Sequence, residues 1–567
     1  MPINLTITNE EDKSQTEVIP QSKNEISIYQ ENIIEKLMKF FKKTPRPQLE
    51  LKIKTHTIFG KERIKTKKYE ITAGGDIIYP EKLKNRIIEV VVPESVKRID
   101  SEHGSTFEQC NFLQKVTLPS TMETIGKSAF RGCKELNEIN LPKGLVEIGY
   151  CAFARTNLSS VNLPEDTVCG EYCFGSCENL RDISLPKNMR RLPKGMFVAC
   201  TKLTNINWTE KIERIGKKAF EGCINLKETV FPEKLEDIED LAFAHSGLAK
   251  VTFPKELKKI GEESFLRTCL KKVDIPDNTI CGQACFEDCT ELEEVSLPKN
   301  MTQIPKRMFS GAISLKSVRY PENLEKIGTE AFKKNKALKK TILPKKCTAI
   351  GKGAFEKSGL RMIELPNNLL NIEEEAFAGS ALEEIELPDD VDLKERCFSN
   401  CQFLEYVKLP NNMSKVPTET FMGCSKLEEV NWNQKLQEIG IRAFKECESL
   451  KRLRFPKNLK IINHGAFYEC YGLDNVQFPK GLESIGSEAF GKNSSLTFIS
   501  LPLGLRELWN TAFFNCTSIT DIYAAPAFYD DLKWKCWWAK IHKVGLSDDD
   551  GEKRTNKLVS REDMEER

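Results

Sequence analysis

The stretch LPSTMETIGKSAFRGCKELNEINLP, Leu118 to Pro142, decides the fold. The same frame returns as FPKGLESIGSEAFGKNSSLTFISLP from Phe478 to Pro502, and its general form is L-P-x-x-L-x-x-I-G-x-x-A-F-x-x-C-x-x-L-x-x-V-x-L-P. Aligning the chain on this phenylalanine gives nineteen units of nearly constant length, running from Phe107, Phe130 and Phe153 to Phe490 and Phe513. A period this short signals a repeat architecture, so an estimate of domain number from length does not apply.

Each unit divides into two halves. Leu136, Ile139 and Leu141 end in an apolar alternation that suits a short strand, which Pro142 terminates because proline has no N–H for a ladder. In the other half Leu145, Ile148, Ala152 and Phe153 recur at spacings of three and four, which predicts a short helical or 3₁₀ segment. One strand and one turn cannot bury their own apolar face, so neighbouring units must bury it jointly. Eighteen steps of about 4.8 Å predict a solenoid roughly 85 Å long. The expected architecture is an α/β repeat solenoid of about nineteen units, with a parallel sheet on a concave face and helical turns opposite.

The words I-G-x-x-A-F-x-x-C/N and I-x-L-P over residues 93–525 resemble the BspA-like leucine-rich repeat family, also known from spirochaete surface proteins. The resemblance implies a curved solenoid with a parallel sheet along one face, a binding role and, in many relatives, adhesion at the cell surface.

A longer period is superimposed. A block of five units runs from Phe174 to Phe286 and recurs from Phe286 to Phe398, and Trp208, Tyr320 and Trp432 stand one block apart. Duplication of five units explains this, and recurrence of a residue between copies is therefore no sign of chemistry. The three aromatics replace the last inward Leu of the strand and are expected in the core.

Charge and cysteine content limit the function. Lys and Arg total 85 against 83 Asp and Glu, which provides no basic excess for nucleic acid or an anionic surface. No apolar span of about 18 residues and no apolar stretch behind a basic start is present, so the expectation is a cytoplasmic chain with reduced thiols and no membrane span; exposure at the cell surface by a non-standard route is the alternative. Eleven of the 20 cysteines lie three positions after the repeat Phe, where other units hold Thr156, Ser246, Ala312, Asn335 or Asn493. A column that accepts small residues reads as packing, because a buried thiol behaves as a small hydrophobe with a weak donor. Cys169, Cys173 and Cys177, echoed by Cys281, Cys285 and Cys289, raise a metal site; the third copy puts Leu393 first, which marks a core column. No metal and no cofactor is expected.

Catalytic strings are equally unsupported. Gly126-Lys127-Ser128 resembles the end of a phosphate loop, but Thr121 stands where its first glycine is required, and the Ile-Gly-Lys word returns at Ile215 and Ile350. The five histidines share no column, so no nucleophile and base can be paired; an enzyme carried by residues 1–92 is the remaining catalytic reading. The residues flanking each central Val or Ile form two outward rows. The densest feature there is acidic Glu364, Glu384 and Glu386 giving way to Tyr406, Lys408, Arg452 and Arg454, beside Trp432. An aromatic near arginines suits a protein hot spot, whereas cross-strand charge pairing on a solvated face is the plain alternative.

Outside the repeats, residues 1–24 are polar and expected to be disordered, and 25–92 should form an amphipathic helix (26–43) and a β-rich N-terminal cap. Residues 526–546, with Trp534, Trp537 and Trp538, are expected to close the far end, and 547–567 to form a charged mobile tail. The expected molecule is a monomeric, non-catalytic scaffold for a protein partner.

Overall fold

The computed structural model describes residues 48–56, 62–70, 79–99, 106–536, 539–544 and 557–559. Within them about nineteen coils stack into one solenoid whose strands pair in parallel with the equivalent strands of neighbouring coils. The nineteen phenylalanines form an unbroken column. Successive ring centroids lie 5.1 to 6.1 Å apart with planes within 21°, and the column is buried throughout. Tyr79 stacks on Phe107 at 5.6 Å and continues the column by one ring toward the N-terminus, its hydroxyl donating to the Thr106 carbonyl at 2.6 Å.

Two strand ladders run along the solenoid. The long ladder consists of three-residue strands such as Ser160–Asn162, Asp182–Ser184 and Asn205–Asn207, with the central residue directed inward. The short ladder consists of two-residue strands such as Arg214–Ile215, Asp237–Ile238 and Lys259–Ile260, each ending in the Ile column of the frame.

The short ladder replaces the helical segment expected from spacing. Among the described residues the only helices are the 3₁₀ helix Glu81–Arg86 and the α-helix Pro526–Lys535, so the solenoid is a β structure and not an α/β one. The backbone explains the difference. In nearly every coil the residues two before and two after the Phe have positive φ, for example Cys151 at 52° and Arg155 at 61° around Phe153. A right-handed helix cannot accommodate these left-handed residues, each of which costs about 1–2 kcal/mol when it is not glycine. They turn the segment so that its N–H groups reach the next coil: Ser128, Phe130 and Gly132 donate to the carbonyls of Tyr150, Ala152 and Ala154 at 2.8 Å. Leu145 and Ile148 then lie three apart because a turn and a strand separate them.

Proline divides the short ladder. In most coils the residue after the Ile donates its N–H to the Ile carbonyl of the preceding coil, as Gly149 does to Ile125 at 2.7 Å and Glu239 to Ile215 at 3.0 Å. Pro193, Pro305 and Pro417 occupy this position, once in each five-unit block. Lacking the N–H, they end the hydrogen-bonded runs after Val168–Cys169, Ile280–Cys281 and Asp392–Leu393.

At the N-terminal side Gln48–His56 pairs antiparallel with Glu62–Glu70 and with Ile87–Val91, and the latter joins Lys115–Thr117 of the long ladder in parallel. Leu49, Leu51 and Ile53 are buried there. The helix expected at 26–43 and residues 71–78 lie outside the described residues. At the other side Phe528 and Leu532 of the helix Pro526–Lys535 are buried, and Lys540–Lys543 adds to Asp521–Ala524 as a further parallel strand. Trp537, Trp538 and the side chain of Trp534 lie outside the described set. Within the segment read as a tail, Lys557–Val559 pairs with Glu507–Trp509 and extends the short ladder.

Candidate binding surface

The cysteine column has a specific task. In most coils the repeat Phe carbonyl accepts the N–H three positions on and, from the next coil, a second donor. Cys200 Sγ reaches the Phe174 carbonyl at 3.2 Å, Cys223 that of Phe197 at 3.2 Å and Cys424 that of Phe398 at 3.2 Å. Where cysteine is missing, Asn493 Nδ2 serves the Phe467 carbonyl of the preceding coil at 3.1 Å, whereas Thr156 Oγ1 donates within its own coil to the Phe153 carbonyl at 2.8 Å. The column therefore favours a small side chain with a donor. Eighteen of the 20 cysteines are buried and all are free thiols; Cys269 and Cys281 are partly exposed. Cys169, Cys173 and Cys177 are core residues, and among the described residues no group of three His, Cys, Asp or Glu is arranged to hold a metal ion.

Burial pushes the thiols of Cys177 and Cys289 up to about 11 and those of Cys223 and Cys470 up to about 12. Because the folded state keeps these protons longer than the unfolded chain, whose thiols ionise near 9, the thiol contribution to folding stability is constant below about pH 9 and is lost as pH rises toward 11–12. With a thiol reagent at pH 8, Cys269 and Cys281 react first and the other eighteen only on unfolding. A total below 20 would reveal a disulfide that these free thiols do not predict.

Trp208, Tyr320 and Trp432 fill the core edge, as expected. Trp208 lies edge-on to Phe220 at 5.7 Å and donates Nε1–H to Thr229 Oγ1 at 2.8 Å; Trp432 contacts Phe444 at 5.4 Å and Phe455 at 5.6 Å. Among the described residues the sequence motifs bring together no catalytic grouping. Gly126 and Gly216 occupy the same coil position, their N–H groups bound to Ile99 and Leu192 carbonyls, and Ser128 is buried. His464 Nδ1 lies 2.9 Å from the Ser487 carbonyl and His542 Nε2 lies 2.8 Å from Asp521, on different coils.

The seven surface residues singled out from the sequence all lie on the long ladder, in three hydrogen-bonded segments. Glu384, Tyr406 and Glu429 are in register, as are Glu386, Lys408 and Asn431. Arg452 and Arg454 belong to the pair formed with Asn475–Gln477, and Glu364 to the pair formed with Lys340–Ile342. Part of the charge is neutralised within the chain: Lys340–Glu364 at 3.0 Å, Lys408–Glu386 at 3.2 Å and Arg452–Asp474 at 4.0 Å. Such exposed pairs contribute about 0–1 kcal/mol each. Among the described residues Glu384, Glu429 and Arg454 have no ion-pair partner, and neither do Glu405, Glu428 and Lys451, which stand just before their strands. Those three were missed because only the strand rows were considered; the doublets Glu428-Glu429 and Lys451-Arg452 were the available signal.

Stacked coils, parallel ladders and inward Leu, Ile, Phe and Cys columns define a leucine-rich repeat solenoid. The model of the BspA type leucine rich repeat region (6 copies) matches residues 103–227, 213–339, 330–448 and 414–530. The chain belongs to this BspA-type leucine-rich repeat family. Among solved structures it is similar to a leucine-rich repeat protein from Bacteroides ovatus ATCC 8483, at 26% identity and a TM-score of 0.54, covering 68% of this chain and 92% of that one. It is also similar to a leucine rich cell surface protein from Faecalibacterium prausnitzii A2-165, at 20% identity and a TM-score of 0.37, over 64% of this chain and 92% of that one. No curated protein matches the chain. No helix among the described residues is long and apolar enough to cross a membrane.

Proposed function

We propose that the chain is a non-catalytic scaffold that binds a protein partner through the long-ladder face. One observation carries this reading. Around Tyr406 the face presents Glu384, Glu405, Glu428, Glu429, Lys451 and Arg454 without ion partners among the described residues, whereas neighbouring charges on the same ladder are paired across coils. Unneutralised like charges in adjacent coils repel one another, so an opposite charge brought by a partner would relieve a cost the fold otherwise bears. Tyr406, half-buried with its hydroxyl 3.4 Å from Asn431 Nδ2, supplies a rigid anchor within the band.

The place of action is read as the cytoplasm, since the buried thiols serve the Phe carbonyls in their reduced form. Membership of a family with surface-adhesive relatives gives the second reading, an adhesin for host or matrix protein. Protease treatment of intact cells separates them: a surface protein is cut while the cells stay whole.

Affinity capture from native cells, comparing the natural chain with Glu384→Lys/Glu386→Lys and with Arg452→Glu/Arg454→Glu, tests the face. Reversal should weaken capture of the same partner at least tenfold, corresponding to about 1.4 kcal/mol or more. Equal capture by all three proteins would remove the long ladder as the binding surface.

A further inference from the structure

Residues 333–361 contain ten Lys and Arg and a single acid, Glu356, whereas residues 362–395 contain eleven Asp and Glu and a single base, Lys394. Successive coils of a chain with net charge +2 are thus oppositely charged. The boundary falls on the long ladder. Lys339 and Lys340 lie at the strand Lys340–Ile342, and Glu383 and Glu384 at the strand Glu384–Glu386; Met362–Glu364 is the strand between them. At this boundary two large apolar side chains are uncovered, Ile342 at 55% and Met362 at 41% exposure. The register Lys340 to Met362 and Ile342 to Glu364 makes them diagonal neighbours on adjacent strands. Lys340 pairs with Glu364 at 3.0 Å and Arg361 with Glu383 at 3.4 Å, but Lys339 and Glu384 have no ion partner among the described residues.

Duplication does not account for the pattern. The equivalent coils one block earlier keep the core, with Phe220, Phe243 and Phe265 in place of Phe332, Phe355 and Phe377, and keep an exposed apolar residue at Val230. Their charges are mixed: Glu228 follows Lys227, and Asp274 follows Lys271 and Lys272. The two copies share the core, and only the second has its charges segregated.

We propose that this patch joins two copies of the chain in an antiparallel dimer whose two-fold axis passes through the strand Met362–Glu364. The proposal rests on the reading of the long-ladder face as a recognition surface and names a second copy as the occupant of this part of it. A two-fold parallel to that strand lays Lys339 and Lys340 of each copy over Glu383 and Glu384 of the other and brings the Met362 side chains of both copies together at the centre, with an Ile342 flanking them on either side. The result is an apolar centre with a charged rim, and the same patch serves both partners. A parallel side-by-side arrangement would set lysine on lysine and glutamate on glutamate. Such a self-complementary pair departs from the monomer expected from the sequence.

Sedimentation velocity of the full chain should show concentration-dependent conversion of the 64.6 kDa monomer to twice that mass. The association should weaken at least tenfold in high salt, where exposed charges are screened. Lys339→Glu/Lys340→Glu and Glu383→Lys/Glu384→Lys should each abolish it, because each turns both halves of the interface repulsive. Mixing the two variants restores full complementarity and should return a 1:1 dimer, which also shows that both are folded. Met362→Asp should weaken association and should not be rescued by mixing with either variant. A natural chain that stays monomeric at every concentration, a mixture that does not dimerise, or growth beyond two copies would each overturn the proposal. Arg452→Glu/Arg454→Glu should leave the dimer intact while losing the captured partner, and Lys339→Glu/Lys340→Glu should do the reverse, so the two readings fail separately.

Discussion

Phe377→Ala lowers the free energy of unfolding by about 3–5 kcal/mol. The ring is fully buried and stacks on both neighbours, with centroids 5.3 Å from Phe355 and 5.3 Å from Phe398 and planes within 3°. Alanine removes the ring's transfer free energy, leaves a cavity that the two flanking coils cannot close, and forfeits two stacked contacts of about 0.5–1.5 kcal/mol each. Since a solenoid's stability is a sum of coils and nearest-neighbour interfaces, the loss also uncouples the halves on either side. Chemical denaturation should therefore show a lower midpoint and a broadened or divided transition, and Phe377→Leu should recover a large part of the loss. A change below about 1 kcal/mol with a single sharp transition would show that the phenylalanine column does not hold the coils together.

Gly359→Ala and Gly144→Ala have opposite outcomes, although both replace a repeat-unit glycine. A Cβ on Gly359 would lie 2.0 Å from the Lys336 carbonyl oxygen of the preceding coil, a backbone atom that cannot swing away. The unit from Phe355 to Phe377 is one position shorter than the unit before it, Phe332 to Phe355, and the deletion in the Ser358-Gly359-Leu360 corner pulls the backbones together. We expect a loss of about 1–3 kcal/mol from forced displacement. Around Gly144 the nearest neighbour to a Cβ is the Ser120 carbonyl at 4.0 Å, and its φ is not left-handed. Alanine there restricts the unfolded chain without a clash and should be neutral or stabilising by about 0.4–1 kcal/mol. Thermal unfolding of the two variants side by side measures the contrast; equal shifts would mean that coil-to-coil approach is not what the corner glycine serves.

The repeat frame made the columns legible because burial acts on each residue type independently. Leu136, Ile148, Ala152, Phe153 and Cys133 are inward wherever the frame places them, and the five-unit echo located Trp208, Tyr320 and Trp432 in the core. The helical turns were misread at Leu145, Ile148, Ala152 and Phe153, since spacings of three and four suit both a helix and a turn followed by a strand. What separates the two is the left-handed backbone at Cys151 and Arg155, together with hydrogen bonds to the next coil. Tyr79 escaped notice because it continues the phenylalanine column from outside the repeat. On the surface, the outward rows were correctly placed on one ladder, but pairing was not readable: Lys408 meets Glu386, while Arg454 meets no acid among the described residues.

By itself, then, the order of residues determined which side chains are buried, how many coils there are and which family the chain joins, because those follow from periodic hydrophobicity repeated nineteen times. Only the tertiary structure decided that each coil carries a second short strand, that the column thiols answer neighbouring carbonyls, and which charges are left over. The reason is that hydrogen bonds and ion pairs here run between coils, joining residues some 21 to 26 positions apart, whose geometry no single unit contains.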